Sequence, residues 1–322
     1  MPSAFSWPMS VPSALRAPAP VNQGVRLFKS SEMAIQKLLF VDTNIWLDFY
    51  RARTEAGLAL LEHLEKVSDK LIVHYQLEME YKRNRQSAII EGMQELKPPT
   101  HIPRPGLFSD AKAVKAMQGN LKAATDRVKS LKAKLRKVLA DPVKHDPVYQ
   151  ACQRLFHAET NLILTRNDPF RHIIRRRAFR RFLHGCPPRK KNDTSIGDAL
   201  NWEWMIECAL RHEAELVIVS RDADYGAVFE DIAYINDHLK QEFSERVSRR
   251  RKILLYTKLS EALKHFQIPV TREEVEEEEA IIKAAPTIAN TPKSKEQTQS
   301  VEEILRELDE FIKRGPPGVT KS

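Results

Sequence analysis

The sequence predicts an α/β domain built on a mainly parallel sheet. Short apolar runs of strand length recur along it: Leu38–Val41, Leu71–Val73, Leu216–Val219 and Ile253–Tyr256. Strands buried on both faces of a sheet read as continuous runs of this kind. Segments of helical period lie between them, and strands that alternate with helices form parallel sheets. Two of the runs end at once in carboxylates, as Val41-Asp42 and as Val219-Ser220-Arg221-Asp222. The carboxyl ends of the strands are where such a sheet presents its ligands.

The first strand is Lys37–Val41. A helix follows from about Ile45 to Val67, with Leu58, Leu61 and Leu64 on one face. The second strand, Leu71–Val73, leads into a charged helix from about Gln76 to Leu96, ended by four prolines between Lys97 and Pro105. Next, Val114, Met117, Leu121, Ala124, Val128, Leu131, Leu135 and Val138 alternate at spacings of 3 and 4, a heptad seam. Asp141-Pro142 breaks the seam, and Pro147 opens another helix through about Leu164. The two read as an antiparallel helical hairpin inserted at about 109–165, either a packing arm or a clamp on a substrate. Arg166–Lys191 is intensely basic, with Asp168 its one acidic residue. A helix over Ile196–Leu210, the strands Leu216–Val219 and Ile253–Tyr256, and a helix over Leu259–Phe266 complete a domain spanning 35–268.

Residues 1–34 read as a disordered extension without the apolar core of a signal peptide. Residues 269–322 read as a charged, largely disordered tail. Within it Glu273–Glu279 is almost wholly acidic, and Val301–Ile312 is amphipathic at helical period, either solvated or docked on a protein partner.

The 322 residues carry 52 Lys and Arg against 43 Asp and Glu, a net charge of +9 that favours a polyanionic partner such as nucleic acid. Cys152, Cys186 and Cys208 are too scattered for a zinc site or a disulfide framework, which suits a reducing, cytoplasmic setting. No apolar run reaches the roughly 18 residues of a membrane span. With only 10 glycines and no Gly-rich phosphate loop, a nucleotide-binding fold is disfavoured.

Two helical carboxylates join the two at the strand ends: Glu80, after the second strand, and Asp198, where the Ile196 helix begins. In a parallel sheet these positions share one edge, so Asp42, Glu80, Asp198 and Asp222 can converge there. Converging carboxylates repel and are costly to desolvate together. A divalent cation resolves that conflict, and oxygen ligands alone suit Mg²⁺ or Mn²⁺ rather than zinc. Each acid also has a plainer role: Asp42, Asp222 and Asp224 as helix caps, Glu80 on a solvated face, and Asp198 in favourable interaction with a helix dipole. Their order on the β-α-β-α frame favours the joint reading.

The segments Val41-Asp42-Thr43-Asn44-Ile45, Glu80-Tyr81-Lys82-Arg83-Asn84-Arg85, Gly197-Asp198-Ala199-Leu200-Asn201-Trp202 and Val217-Ile218-Val219-Ser220-Arg221-Asp222 resemble, in this order, the PIN-domain nucleases. The likeness is to the larger PIN-like type with a helical insertion, and it spans about Ile35 to Gln267. It implies a three-layer α/β/α, flavodoxin-like sandwich and a Mg²⁺- or Mn²⁺-dependent endonuclease, acting on RNA ahead of DNA. By motif, Asp42, Glu80, Asp198 and Asp222 become the catalytic metal-site acids. Asn44 or Ser220 would orient water or a carboxylate. Asp224 can replace or supplement Asp222, and Glu78 competes with Glu80 because both cannot share one helix face.

Arg171, Arg175, Arg176 and Arg180 form a stripe at near-helical spacing, anchored by Ile173, Ile174, Phe179 and Phe182. Such a stripe suits phosphate neutralisation, with Lys82, Arg83 and Arg85 extending the path. A surface helix with snorkelling arginines is the plainer reading. Tyr81 and Tyr225 are candidates for stacking on bases; Trp202 and Trp204 suit the core. A structure-specific DNA nuclease and a catalytically silent nucleic-acid-binding scaffold are the alternatives to an endoribonuclease.

Overall fold

The computed structural model describes residues 35–93, 97, 111–189 and 195–284. The expectations for 1–34, for the prolines near 98–105, for Lys190 and Lys191, and for 285–322 lie outside them.

Five parallel strands form the central sheet: β1 (Lys37–Val41), β2 (Leu71–His74), β3 (Ile163–Leu164), β4 (Glu215–Val219) and β7 (Ile253–Tyr256). Their order is β3-β2-β1-β4-β7. Successive strands run outward from β1 to β3, then the chain returns to lay β4 on the other side of β1. That reversal opens a crevice at the carboxyl ends of β1 and β4, where α/β sheets bind ligands. Val41 pairs with Val219, so Asp42 and Ser220 leave the sheet side by side. A small antiparallel hairpin, β5 (Gly226–Phe229) and β6 (Ile232–Ile235), follows β4.

Helices flank the sheet, as expected of an α/β/α sandwich. On one side α3 (Tyr75–Gly92), α7 (Arg171–Leu183) and α8 (Gly197–His212) pack together, with α9 (Asp237–Arg246) against α8; α2 (Glu55–Glu65), α10 (Leu259–His265) and α11 (Arg272–Ala284) form another group. Trp202 and Trp204 are buried, and the Trp204 indole donates to the Leu162 carbonyl at 2.9 Å. Among the described residues no helix is long and apolar enough to cross a membrane.

The structure corrects several expectations. The helix expected over Ile45–Val67 is two: α1 (Thr43–Asp48) and α2. The break is fixed from afar, because Glu277 accepts from the amides of Arg53 (2.6 Å) and Thr54 (3.2 Å) at the start of α2. Glu277 belongs to α11, so residues 272–284 are not the solvated tail expected of them. The acidic run supplies what helix starts lack, an acceptor and a negative charge, at the exposed start of α2 and the buried start of α10. Glu278 accepts from the amides of Leu259 (2.5 Å) and Ser260 (3.0 Å), capping α10. Glu274 accepts from the Thr271 amide and meets His63 at 3.2 Å.

The insertion is helical, but its legs differ. α4 (Lys112–Ala140) has no buried residue. α6 (Pro147–Phe156) buries Val148, Ala151, Cys152, Leu155 and Phe156 in the main core and ends at Phe156, leaving Ile163–Leu164 to form β3 rather than helix. Between the legs stands α5 (Pro142–His145). A buried ion pair anchors the insertion: Arg85 donates to Asp146 (2.8 and 2.5 Å) and to the Val138 carbonyl (2.8 Å). Breaking such a pair leaves a buried charge uncompensated. Arg85→Ala is expected to cost about 3–5 kcal/mol, read as a lower urea midpoint; an unchanged midpoint would refute the assignment.

Candidate active site

Asp42 ends β1 in extended backbone and caps α1, its Oδ1 accepting from the Thr43 amide at 2.7 Å. Its Oδ2 accepts from the Ser220 hydroxyl at 2.7 Å. The same hydroxyl accepts from the Asp222 amide at 3.1 Å, so Ser220 ties together the ends of β1 and β4. The cap thus fixes the Asp42 carboxylate at the carboxyl ends of β1 and β4, beside Ser220.

Glu80 lies on α3. Its Oε1 accepts from the Gln76 amide group at 3.0 Å and its Oε2 from the Thr43 hydroxyl at 3.3 Å. Gln76 was not among the expected site residues, although its i, i+4 spacing to Glu80 is the signal that finds it. Glu78 points elsewhere, to Lys82 (2.6 Å) and His157 (3.0 Å), and these partners hold its carboxyl below the usual range against the cost of burial. Asp198 sits in the first turn of α8. Gly197 beside it leaves the space that Glu80 occupies, since a Cβ there would run into Glu80 Oε1. Asn201, one turn later, is buried with both amide atoms lacking a protein partner. Asn44 is half-buried in the first turn of α1, and Asp224 follows Asp222 in the loop after β4.

Burial pushes the Asp42 carboxyl up to about 7, and the charges of Asp222 and Glu80 add to that rise; the bonds from Ser220 and Thr43 oppose it. Tyr225 is fully buried, and its hydroxyl lacks a hydrogen-bond partner. Burial raises its pKa well above the usual value, and Asp198, Asp42, Asp222 and Glu80 all push it further. One phenol thus feels all four acids. Being buried, it cannot stack on a base, and neither can Tyr81, which is enclosed against the Tyr50 hydroxyl at 2.7 Å.

The raised Asp42 value has a consequence for stability. Its folded pKa lies above the unfolded one, so the proton binds the folded protein more tightly. That stabilisation is complete below about pH 4 and is lost as pH rises through about 7. In metal-free buffer the melting temperature is expected to fall across this window, and Asp42→Asn to flatten the fall. Parallel pH profiles for parent and variant would contradict this.

Among the described residues, no three His, Cys, Asp or Glu side chains lie close enough to form a ready metal cluster. The chemistry of the set still fits a hard divalent cation. Its donors are carboxylates and hydroxyls, the charges of Asp222 and Glu80 add to the rise of the Asp42 carboxyl, and the buried Tyr225 hydroxyl lacks a hydrogen-bond partner. A cation that keeps part of its water shell, as Mg²⁺ does, needs only one or two direct carboxylates.

On α7, Arg175, Arg176 and Arg180 are exposed and Arg171 is half-exposed. Arg177 turns inward to Glu207 at 2.7 Å, and buried Arg181 pairs with Glu203 and Glu242. Ile173 does not anchor the helix, since it is 44% exposed; Ile174 is the buried one. Lys82 and Arg83 are exposed, but Arg85 is buried against Asp146 and is not free to meet a phosphate.

Neither the curated proteins nor the solved structures include a significant match to the chain. A family model described as PIN domain matches residues 39–225. That span is more than half of the chain, and it runs from β1 to Tyr225, taking in all four acids and the insertion. The chain therefore belongs to the PIN-domain family, whose members are usually nucleases.

Proposed function

We propose that the chain is a metal-dependent endonuclease that hydrolyses phosphodiester bonds in RNA. The observation that supports this reading is the hydrogen-bonded tie at the ends of β1 and β4, where Asp42 accepts from Ser220 and Ser220 from the Asp222 amide, with Glu80 held to Thr43 next to Asp42. A bound Mg²⁺ or Mn²⁺ would supply an activated water and neutralise charge on the phosphate. Asp42, Glu80, Asp198 and Asp222 would hold the cation, with Asp224 replacing or supplementing Asp222. Ser220 fixes the rotamer of Asp42; Thr43 and Gln76 fix that of Glu80. The buried Tyr225 hydroxyl, without a partner of its own, would be available as a donor, and Asn44, in the first turn of α1, would orient water or a carboxylate. The exposed arginines of α7, together with Lys82 and Arg83, lie along the path for the backbone. In the hydrolysis the water oxygen bonds to phosphorus as the bond to the leaving ribose oxygen breaks. A carboxylate accepts the water proton, and the leaving oxygen is protonated from solvent.

Labelled single-stranded RNA and DNA, incubated with Mn²⁺, Mg²⁺ or chelator, test the proposal on the parent and on Asp198→Asn. RNA cutting that needs the cation and is lost in the variant is the expected result. Cutting in chelator, or cutting that survives the substitution, would sink the site. Preferential cutting of DNA would move the substrate, and binding without cutting would favour a scaffold.

Gly197→Ala separates site from fold. The new Cβ meets the far end of Glu80, a flexible side chain, so the fold is expected to keep its melting temperature. Displacing Glu80 is expected to lower cleavage by on the order of tenfold to a hundredfold. Full activity in this variant would remove Glu80 from the site.

A further inference from the structure

A cavity of about 440 Å³ opens beside α3. The ends of β2 and β3, the end of α6 and the loop after β3 complete its walls. Phe156, Leu164 and Met79 make it apolar, and the exposed Arg166 adds charge. Size and composition are those of a small-molecule site. The strands of the sheet are parallel throughout, so the cavity lies on the same sheet edge as Asp42.

The helix α3 stands between the cavity and the acids. Gln76 and Glu80, at i and i+4, are the bonded pair at the candidate active site. Tyr75, Glu78, Met79 and Lys82, at i, i+3, i+4 and i+7, line the cavity from the adjoining face. A helix with its side chains is about 10–12 Å wide. That width is about three stacked nucleotide rises of roughly 3.4 Å. A strand whose phosphate sits at the acids thus has a neighbouring nucleotide within reach of the cavity.

The walls suit a nucleotide. The Tyr75 ring packs on the buried His74 ring, with centroids 4.2 Å apart, and is itself half-buried. An aromatic ring set in the wall of a cavity is a stacking platform for any base. Neither Tyr81 nor Tyr225 can serve so, both being enclosed. Two walls offer a cation to the phosphate. Lys82 uses one of its three donors on Glu78 at 2.6 Å. Arg166 is exposed, and its carbonyl accepts from Arg171, the first residue of the α7 stripe. The cavity is therefore continuous with the cationic path along α7. Glu78, the one acid in its lining, is answered by Lys82 and by His157 at 3.0 Å.

We propose that, given the nucleic-acid substrate put forward above, this cavity holds one nucleotide flanking the scissile phosphate. Its base stacks on Tyr75 and Met79, and its phosphate lies between Lys82 and Arg166. A base seated there cannot be paired, and drawing one out of a duplex costs unstacking energy. The cavity thus selects single strands and sets the register of the strand against the acids.

Binding in chelator tests the proposal. A short single-stranded oligouridylate and an abasic sugar–phosphate strand of the same length are titrated against the 322-residue protein. Tyr75→Ala is expected to lower the preference for the base-bearing strand by about tenfold, with the abasic strand bound as before. Tyr75→Phe keeps the ring and is expected to keep the preference. Met79→Ala, at a position 37% exposed, is expected to lower it severalfold, and it reports on the same wall if Tyr75→Ala does not fold. A preference unchanged in Tyr75→Ala and Met79→Ala would overturn the proposal. So would equal weakening of both strands by Tyr75→Ala, or a duplex of the oligouridylate bound as tightly as the single strand. Metal-dependent cutting that persists in those cases leaves the nuclease reading standing, whereas a protein that binds neither strand loses both.

Discussion

Asp42→Asn is expected to lower metal-dependent cleavage by on the order of 10²–10³-fold while leaving the metal-free protein at least as stable as the parent. Asn keeps an oxygen that can accept from the Thr43 amide, so the cap on α1 survives. What disappears is a buried negative charge beside Asp222 and Glu80. In the parent that charge opposes folding at neutral pH, and a shift from near 4 to about 7 corresponds to a few kcal/mol at most. Activity and stability should therefore move in opposite directions, as they do where a fold tolerates strain for function. Single-turnover cleavage and thermal melting, read on the same preparation, check this. A variant that unfolds would make Asp42 a structural residue, and a variant that cuts normally would make it a cap and nothing more.

Joint replacement of Arg175, Arg176 and Arg180 by alanine is expected to weaken RNA binding and to flatten its salt dependence. All three side chains are exposed, while Arg177 and Arg181, which hold α7 to Glu207, Glu203 and Glu242, are untouched. The fold should thus be preserved. If each arginine neutralises one phosphate of a single strand, the slope of log K against log salt becomes shallower by about 2. Between 50 and 200 mM salt the parent would then lose roughly 20-fold more affinity than the variant. Cleavage at saturating RNA should change little. An unchanged slope would mean that the stripe faces solvent and nothing else.

How far the sequence could be read depended on how local each signal is. Buried parallel strands announce themselves in four or five consecutive residues, and their order brings Asp42 and Ser220 side by side at the ends of β1 and β4. Features set by distant residues were not legible. The break between α1 and α2 depends on Glu277, more than 200 positions away. The acidic run of α11 looked like a solvated tail because the amides it caps, at Thr54, Leu259 and Ser260, belong to other elements. Arg85 looked like part of a basic path until Asp146 was placed against it. The β5–β6 hairpin escaped notice because Glu230 and Asp231 take the positive-φ turn positions, where Asn-Gly or Asp-Gly is the usual sign. Tyr225 is the instructive case. It was read as an aromatic face for a base, whereas burial encloses the ring and leaves its hydroxyl without a hydrogen-bond partner, within the field of the acids.

Binding of Mn²⁺ to the 322-residue protein, followed by calorimetry without any nucleic acid, tests the central claim most directly. If the four carboxylates form one cation site, the parent binds Mn²⁺ and gains thermal stability from it. Asp42→Asn and Asp198→Asn each lose both effects, although their folds persist. Equal Mn²⁺ binding by the parent and both variants would contradict the account.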